Sequence, residues 1–244
     1  MNTLAVVGAG PQLGMSIARR FAREGFSIAL LARREEPLER LAAMLRDDGH
    51  EAAAFPADVS DPDSLRSALR AAEERLGGID VLEFSPAPTK ADMLARPLID
   101  ASEVTVESVL PEFDMYIRGG ITAVRSVLPG MLSRGTGTII FTTEAGSGPM
   151  IVPRVANVQI ATGGLRNWAL NLHESLRERG VYVGHVALAA AIGHGGPAAE
   201  PDTIADAYWK LHTERIEPEL VYDALPDDWQ VDQVADKFTV DERV

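Results

Sequence analysis

The chain has 244 residues, of which 46% are hydrophobic and 24% charged, and its formal net charge is −13 at pH 7. A surface this acidic repels phosphate backbones and anionic lipid headgroups, which disfavours nucleic-acid and membrane partners. The absence of cysteine excludes disulfides, thiolate chemistry and thiolate-bound zinc. No signal-like leader and no run of ~18 apolar residues is present, so a cytoplasmic protein is expected.

Residues 1–34 have the pattern of a nucleotide-binding strand–helix–strand unit. A short apolar run at 4–7 is followed by a turn that contains Gly8, Gly10 and Gly14, then by a helical pattern and a second apolar run. Glycines suit such a turn because the backbone must approach phosphate oxygens more closely than a Cβ would allow. The unit predicts a dinucleotide with its pyrophosphate at the helix N-terminus, the alternative being a structural turn with incidental glycines.

The rest of the chain continues this alternation of strands and helices. Predicted strands are 4–7, 26–32, 51–56, 79–84, 138–142, 181–188 and 220–222; predicted helices are 15–24, 35–46, 62–76, 104–132, 157–179 and 202–212, with an irregular segment at 85–102. Such alternation predicts an α/β fold of Rossmann type, a doubly wound seven-stranded parallel sheet with helices on both faces. We expect a single domain over 1–244, with a short lid loop at 189–201 and an acidic tail at 223–244.

The order of elements resembles the short-chain dehydrogenase/reductase family over nearly the whole chain. Gly8 and Gly14 match the outer positions of its G-x-x-x-G-x-G pattern, with Gln12 at the middle position. Asp58 and Val59 match the Asp-Val that flanks the adenine ring in that family. The resemblance implies an oxidoreductase of small-molecule carbonyls or alcohols. The cofactor-binding residues expected from it and from the glycine turn are Gly8, Gly10, Gln12, Leu13, Gly14, Arg33, Arg34, Asp58, Val59 and Ser85.

The end of the second predicted strand indicates which cofactor is bound. An acid at this position selects NAD in the resembling family by bonding both ribose hydroxyls, whereas here Ala32 is followed by Arg33 and Arg34. A guanidinium pairs with a 2′-phosphate through charge-assisted, forked hydrogen bonds. NADP(H) is therefore the expected cofactor, and a solvated arginine loop is the alternative.

The chain departs from the family at the four positions that carry its chemistry. The helix Asn aligns with Ile117, the Ser with Thr143, and the Tyr and Lys of Y-x-x-x-K with Val158 and Thr162. In the family, the Tyr delivers a proton to the carbonyl oxygen, and the adjacent Lys ammonium lowers its pKa. Val158 and Thr162 supply neither an acid nor a cation, so the sequence predicts a degenerate active site.

Three residues near the predicted strand ends are candidates for the catalytic groups. Thr143 can hydrogen-bond a substrate oxygen. Glu144 is the first candidate for an acid or base, with a solvent-facing loop carboxylate as the alternative. His194, in the lid loop, is either a proton donor or an exposed bystander. His173 and His185 are predicted to be structural, and no group of residues has the spacing of metal ligands, so no metal site is predicted.

Two functions stay open from the sequence. One is a divergent NADP(H)-dependent oxidoreductase with a non-standard proton donor. The other is a catalytically silent or repurposed protein that binds a nucleotide or other ligand as a sensor or partner subunit. In both cases we expect a small-molecule ligand and a homodimer or homotetramer formed by helices 104–132 and 157–179, with Trp168, Leu172 and Leu176 adding apolar surface.

Overall fold

A computed structural model describes residues 2–226 and places seven strands in one sheet. The strands are β1 (Thr3–Val7), β2 (Ser27–Ala32), β3 (Ala52–Pro56), β4 (Val81–Phe84), β5 (Gly137–Glu144), β6 (Val181–Ala190) and β7 (Glu219–Ala224). Their order is β3-β2-β1-β4-β5-β6-β7, and all six pairings are parallel. The strand order switches between β1 and β4: β2 and β3 lie on one side of β1, and β4 to β7 lie on the other. Open α/β sheets bind their ligands at such a switch point. The predicted fold class is confirmed.

Helices cover both faces of this sheet. Within residues 2–226 they are α1 (Leu13–Ala22), α2 (Glu35–Asp47), α3 (Pro62–Leu76), α4 (Lys90–Ala95), α5 (Val106–Glu112), α6 (Gly119–Arg134), α7 (Ala156–Leu176) and α8 (Pro201–Glu214). One apolar core lies between the sheet and α1, α2 and α8, and the other between the sheet and α3, α6 and α7. In this part of the chain no helix combines the length and the apolar character needed to cross a bilayer.

Local chemistry explains where individual elements begin and end. Every residue of β1 is buried, as expected for a parallel strand covered on both faces. The Asp61 carboxylate accepts hydrogen bonds from the backbone N–H groups of Asp63 and Ser64 and so caps α3. Gly77, with a φ of 88°, ends the same helix in the left-handed conformation that favours glycine.

The segment after β4 differs from the prediction. Residues 85–102 were expected to be irregular, but Thr89 and Asp92 form a capping box that starts α4. The single helix expected over 104–132 consists of α5, a π-helical segment (Phe113–Arg118) and α6 in direct succession. Periodicity could not distinguish these three, because the wider π-helical turn disturbs the 3.6-residue spacing by only one position.

Glycines at the start of α6 bring this helix against the loop between β3 and α3. A Cβ on Gly119 would lie 2.7 Å from Val59 Cγ2 and 2.8 Å from the Val59 carbonyl oxygen. On Gly120 it would lie 3.0 Å from Leu165 Cδ1 of α7. The missing side chains therefore let α6 approach the loop that carries Asp58 and Val59.

The predicted lid loop is short and packed. β6 extends to Ala190 and α8 begins at Pro201, so both ends of the expected 189–201 loop belong to regular elements. A Cβ on Gly195 would lie 2.8 Å from Ala199 Cβ, which leaves little room inside the turn. Of the predicted acidic tail at 223–244, the first two residues end β7 and the part from 227 lies outside the described residues.

Candidate active site

A cleft of about 270 Å³ opens at the carboxyl ends of β1 and β2. Its walls are the glycine turn after β1, the end of β2, the loop before α3, and the segment that leads into α4. The predicted cofactor-binding residues that line it are Gly8, Gly10, Arg33, Arg34, Asp58 and Val59. The structure thus brings together the two ends of the predicted nucleotide-binding unit and the Asp-Val pair.

The glycine turn has the shape of an anion cradle. Gly8 has a φ of 99°, and a Cβ there would lie 2.6 Å from the Ser85 carbonyl oxygen, so only glycine fits. A Cβ on Gly10 would meet no atom within 4 Å, which leaves space for a ligand above the backbone. Gln12 precedes α1 without capping it through its side chain, and the first turn of α1 has no acid. These features suit a pyrophosphate bound by the N–H groups and dipole of α1.

Four other predicted binding residues are not among those that line the cleft. Leu13 belongs to the apolar core, and Gly14 lets α1 pack against the turn. Gln12 is exposed and its amide lies near the loop that follows β6. The Ser85 hydroxyl donates a 2.8 Å hydrogen bond to the buried Glu83 carboxyl, so its side chain is directed inward.

Arg33, predicted to bind a 2′-phosphate, is engaged by a carboxylate of the protein itself. Its two terminal nitrogens bond the two oxygens of Asp92 in α4, one of them at 3.0 Å. This forked contact holds the pKa of Asp92 well below its usual range. Arg34 is exposed, and within residues 2–226 it forms no ion pair.

Glu144 is the last residue of β5 and lies against α7. Its Oε1 accepts a 2.8 Å hydrogen bond from Thr162 Oγ1, at the position aligned with the family's Lys. Burial raises the pKa of Glu144 to about 7, although the bond from Thr162 opposes the shift. Such a carboxyl can exchange a proton near neutral pH. The solvent-facing alternative does not describe this residue, because it is partly buried at the end of a central strand.

Thr143 is held in the protein interior. It is 5% exposed, and its hydroxyl lies 2.7 Å from Ser147 Oγ and 2.8 Å from His185 Nε2. The expectation that this hydroxyl contacts a substrate stays a prediction, since in this structure the hydroxyl belongs to a buried hydrogen-bonded network. Glu144, one residue later, is the group that reaches α7.

The network around Thr143 continues across β6 and β7. His185 Nδ1 lies 2.9 Å from Glu219 Oε1, and Arg166 holds both oxygens of that carboxylate at 2.5 and 2.7 Å. The bond from Arg166 lowers the pKa of Glu219, and burial lowers that of His185. A neutral imidazole donates to Glu219 and accepts from Thr143 in this arrangement. His185 is fully buried, as its predicted structural role requires.

The end of α5 and the π-helical segment place two further buried titratable groups, Glu112 and Tyr116, on the side of Glu144. Tyr116 is 5% exposed, and its pKa is raised by burial and then by the charges of Glu144 and Glu112. Burial also raises the pKa of Glu112, whose Oε1 lies 3.4 Å from Arg96 Nη1. Its Oε2 is buried without a hydrogen-bond partner in the part of the chain described. The sequence did not indicate this grouping, although π-helical turns are frequent at functional sites.

His194 lies on the turn that follows β6. Its side chain is exposed, and only its backbone N–H, which donates to the Ala191 carbonyl, forms a hydrogen bond among residues 2–226. The structure brings it into no hydrogen bond with Thr143 or Glu144. The position matches the exposed-bystander alternative.

Comparison with known proteins places this architecture in a family. The model of the short chain dehydrogenase family matches residues 2–191. Oxidoreductase UcpA of Escherichia coli K12 is 32% identical over 150 residues, which are 62% of this chain and 54% of UcpA. Glycine betaine reductase ATRR of Emericella nidulans is 33% identical over 142 residues, 58% of this chain and 11% of that protein. The chain thus spans only part of the length of these relatives.

Solved structures show the same fold. A short-chain dehydrogenase from Rhodopseudomonas palustris is 26% identical, with a TM-score of 0.76 over 90% of this chain and 96% of that one. A metagenomic short-chain oxidoreductase in complex with NADP is 23% identical, with a TM-score of 0.77 over 93% and 98%. Because the family model matches most of its residues, the chain belongs to the short-chain dehydrogenase family.

Proposed function

We propose that the chain is an NADP(H)-dependent oxidoreductase of a small-molecule carbonyl or alcohol in which Glu144 exchanges the proton. The observation that carries this proposal is the position of the Glu144 carboxyl, at the carboxyl end of β5 and 2.8 Å from Thr162 Oγ1 of α7, where burial raises its pKa to about 7. Its hydrogen-bond partner, Thr162, occupies the aligned Lys position, and Val158, at the aligned Tyr position, lies one turn earlier in α7. Glu144 is thus an acid beside the position aligned with the family's lysine, one helical turn from the position aligned with its tyrosine.

The cleft fits the adenosine half of the cofactor. Gly8, Gly10 and the N-terminus of α1 would hold the pyrophosphate, and Asp58 and Val59 would flank the adenine. Arg33 and Arg34 would pair with the 2′-phosphate. A bound nicotinamide supplies the hydride to the substrate carbon, or removes it in the reverse direction. The NADP complex of a similar fold supports this cofactor class.

The protein contributes the proton. In reduction, protonated Glu144 donates its proton to the carbonyl oxygen and becomes a carboxylate. In oxidation, the carboxylate removes the hydroxyl proton. Thr162 fixes the orientation of the carboxyl by donating to Oε1, which leaves Oε2 for the substrate. A positioned acid of this kind contributes roughly 10²–10⁴-fold to a rate.

Nucleotide titration tests the cofactor assignment. NADPH should bind more tightly than NADH, and Arg33→Ala should remove most of the difference, roughly 1.5–3 kcal/mol for a hydrogen bond to a charged group. Fluorescence titration with both nucleotides measures this difference in affinity. Arg40→Ala, at an exposed arginine of α2 paired with Glu36, is the control and should leave both affinities unchanged. Equal affinities of the parent for NADPH and NADH would contradict the assignment.

A second candidate is a catalytically silent or repurposed protein that binds the nucleotide as a sensor or partner subunit. Val158 and Thr162 favour it, because neither residue is an acid or a cation and the Thr162 hydroxyl is already bonded to Glu144. The two candidates differ in turnover. Tight NADPH binding with no oxidation of NADPH across a broad panel of aldehydes and ketones would favour the second candidate.

A further inference from the structure

The short helix α4 is fastened beside the cleft through one acidic residue, Asp92. The Asp92 carboxylate accepts hydrogen bonds from Thr89 N at 2.8 Å and Thr89 Oγ1 at 2.7 Å, so the first turn of α4 is organised around it. The same carboxylate takes the forked contact from Arg33 at the end of β2. Arg33, Thr89 and Arg96 all line the cleft, and the ion pair therefore ties two of its walls together.

This ion pair uses the guanidinium atoms that suit a phosphate. Both Nη atoms of Arg33 point at the two oxygens of Asp92, which is the forked geometry by which arginine binds carboxylates and phosphates alike. The same pair of N–H groups cannot serve both anions. Asp92 is 16% exposed and Arg33 43% exposed at their side chains, so the pair is accessible to a ligand from the cleft.

The charges around Arg33 add to this competition. Asp58, also on the cleft wall, is a second carboxylate that interacts with Arg33. On the far side of Asp92, Arg96 Nη2 lies 3.8 Å from Oδ1. If Arg33 turns towards a ligand phosphate, Asp92 keeps Thr89 and Arg96 as partners. Asp92 therefore keeps partners for its negative charge when Arg33 binds a phosphate instead.

From this geometry we infer that Asp92 determines cofactor specificity by competing with the 2′-phosphate for Arg33. Its carboxylate occupies the guanidinium of Arg33 and repels the 2′-phosphate, so it weakens the binding of NADP(H). The binding of NAD(H) is almost unaffected, because NAD(H) lacks this phosphate. The inference rests on the proposed function, because it requires NADP(H) to bind in this cleft. It adds a residue of α4, 59 positions away in sequence, to the cofactor-selecting set at the end of β2.

Asp92→Asn tests the competition while keeping the helix cap. The asparagine carbonyl oxygen can still accept from Thr89 N, whereas the negative charge is lost. We expect NADPH to bind about three- to tenfold more tightly, as for the loss of a partly exposed ion pair together with one repulsion, and NADH affinity to stay the same. In the double variant Arg33→Ala/Asp92→Asn the gain relative to Arg33→Ala alone should be clearly smaller, because only the direct repulsion between Asp92 and the phosphate is then relieved. Fluorescence titration and the NADPH-induced shift in melting temperature give two independent readouts.

Two further variants guard the interpretation. Asp92→Ser should reproduce the gain, because Ser108 occupies the equivalent capping-box position of α5 and shows that a serine can cap there. Asp100→Asn removes a charge from the segment that follows α4 and should leave the affinities for NADPH and NADH unchanged. The inference would be overturned if both Asp92 variants bound NADPH no more tightly than the parent, or if they lost affinity for NADH. In that case NADPH binding by the parent would still support the cofactor assignment. Failure of the parent and every variant to bind NADPH would overturn both.

Discussion

At the scale of single residues, Glu144 illustrates how a carboxyl can donate the proton that a tyrosine donates in the family. An exposed glutamate is ionised at neutral pH and has no proton to donate. Burial at the end of β5 raises the pKa of Glu144 to about 7 and so keeps a large protonated fraction. Tyr116 is a poor substitute for the family's tyrosine. Burial raises the pKa of its phenol above the usual value, which makes it a weaker acid.

The pH dependence of turnover should follow this carboxyl. With a pKa of about 7, Glu144 holds its proton below pH 7 and loses it above, so NADPH-dependent reduction should be fastest on the acidic side and fall as pH rises through 7. Glu144→Gln should abolish this dependence and lower kcat by roughly 10²–10⁴-fold. Steady-state rates measured between about pH 5.5 and about pH 8.5, roughly 1.5 units either side of the transition, test both expectations.

Glu174→Gln, at an exposed carboxylate on the same helix as Thr162, is the matched control and should keep the parental rate and profile. A Glu144→Gln variant that reduces its substrate at the parental rate would show that the proton comes from another group.

Side-chain partners are the part of the site that the sequence could not provide. The sequence predicted Glu144 and Arg33 from their places after strands, and Asp58 and Val59 from the family resemblance. The partners of the first two, Thr162 and Asp92, lie 18 and 59 positions away and are brought close only by the fold. A motif records neighbours in sequence, whereas these contacts depend on which loops meet at the edge of the sheet.

At the scale of elements, the junction between α6 and the β3–α3 loop couples packing to the cleft. Gly119→Ala would place a Cβ 2.7 Å from Val59 Cγ2 and 2.8 Å from its carbonyl oxygen, and backbone cannot move as cheaply as a side chain. We expect a loss of about 1–3 kcal/mol in the free energy of unfolding and weaker NADPH binding, since the displaced loop carries Asp58. Urea denaturation and nucleotide titration measure the two effects.

Gly130→Ala in the same helix separates this clash from helix propensity. Its Cβ would lie 3.2 Å from Arg134 Nη1 and 3.3 Å from Glu73 Oε1, both of them the ends of flexible side chains. This variant should be neutral or stabilised by up to about 1 kcal/mol, the gain of alanine over glycine inside a helix. If both variants had the same stability, the close approach of α6 would not need a glycine at position 119.

Elements with strong local signals were predictable and those defined by tertiary contacts were not. Alternating apolar runs and helical stripes located all seven strands of the sheet, because a parallel sheet buried on both faces leaves a continuous apolar signature. α4 was missed because its six residues are too few to show a period, although Thr89 and Asp92 form its cap. The π-helical turn depends on how Tyr116 and its neighbours pack.

At the scale of the whole molecule, the oligomer predicted on helices 104–132 and 157–179 stays a prediction, and the structure shows which apolar residues of these helices are exposed. Leu176 is 2% exposed and adds almost no surface, whereas Trp168 and Leu172 are partly buried and pack against the core between α7 and the sheet. An exposed apolar surface on these helices is formed by α5, the adjoining π-helical segment and the first turns of α7. Its residues are Val106, Leu110, Phe113 and Ile160, which are 70%, 52%, 43% and 54% exposed.

We therefore expect these four residues to be buried between two copies of the chain, since side chains of this size gain about 1.5–3 kcal/mol each when fully removed from water. Light scattering at micromolar concentration should give the mass of a dimer or tetramer. The double variant Leu110→Asp/Phe113→Asp should lower that mass, because an aspartate pair on a two-fold interface is buried without a partner charge. Met44→Asp, at an exposed apolar residue of α2, should keep the parental mass. A monomeric parent would contradict the expectation, whereas an oligomer that survives the double variant would show that another surface holds the copies together.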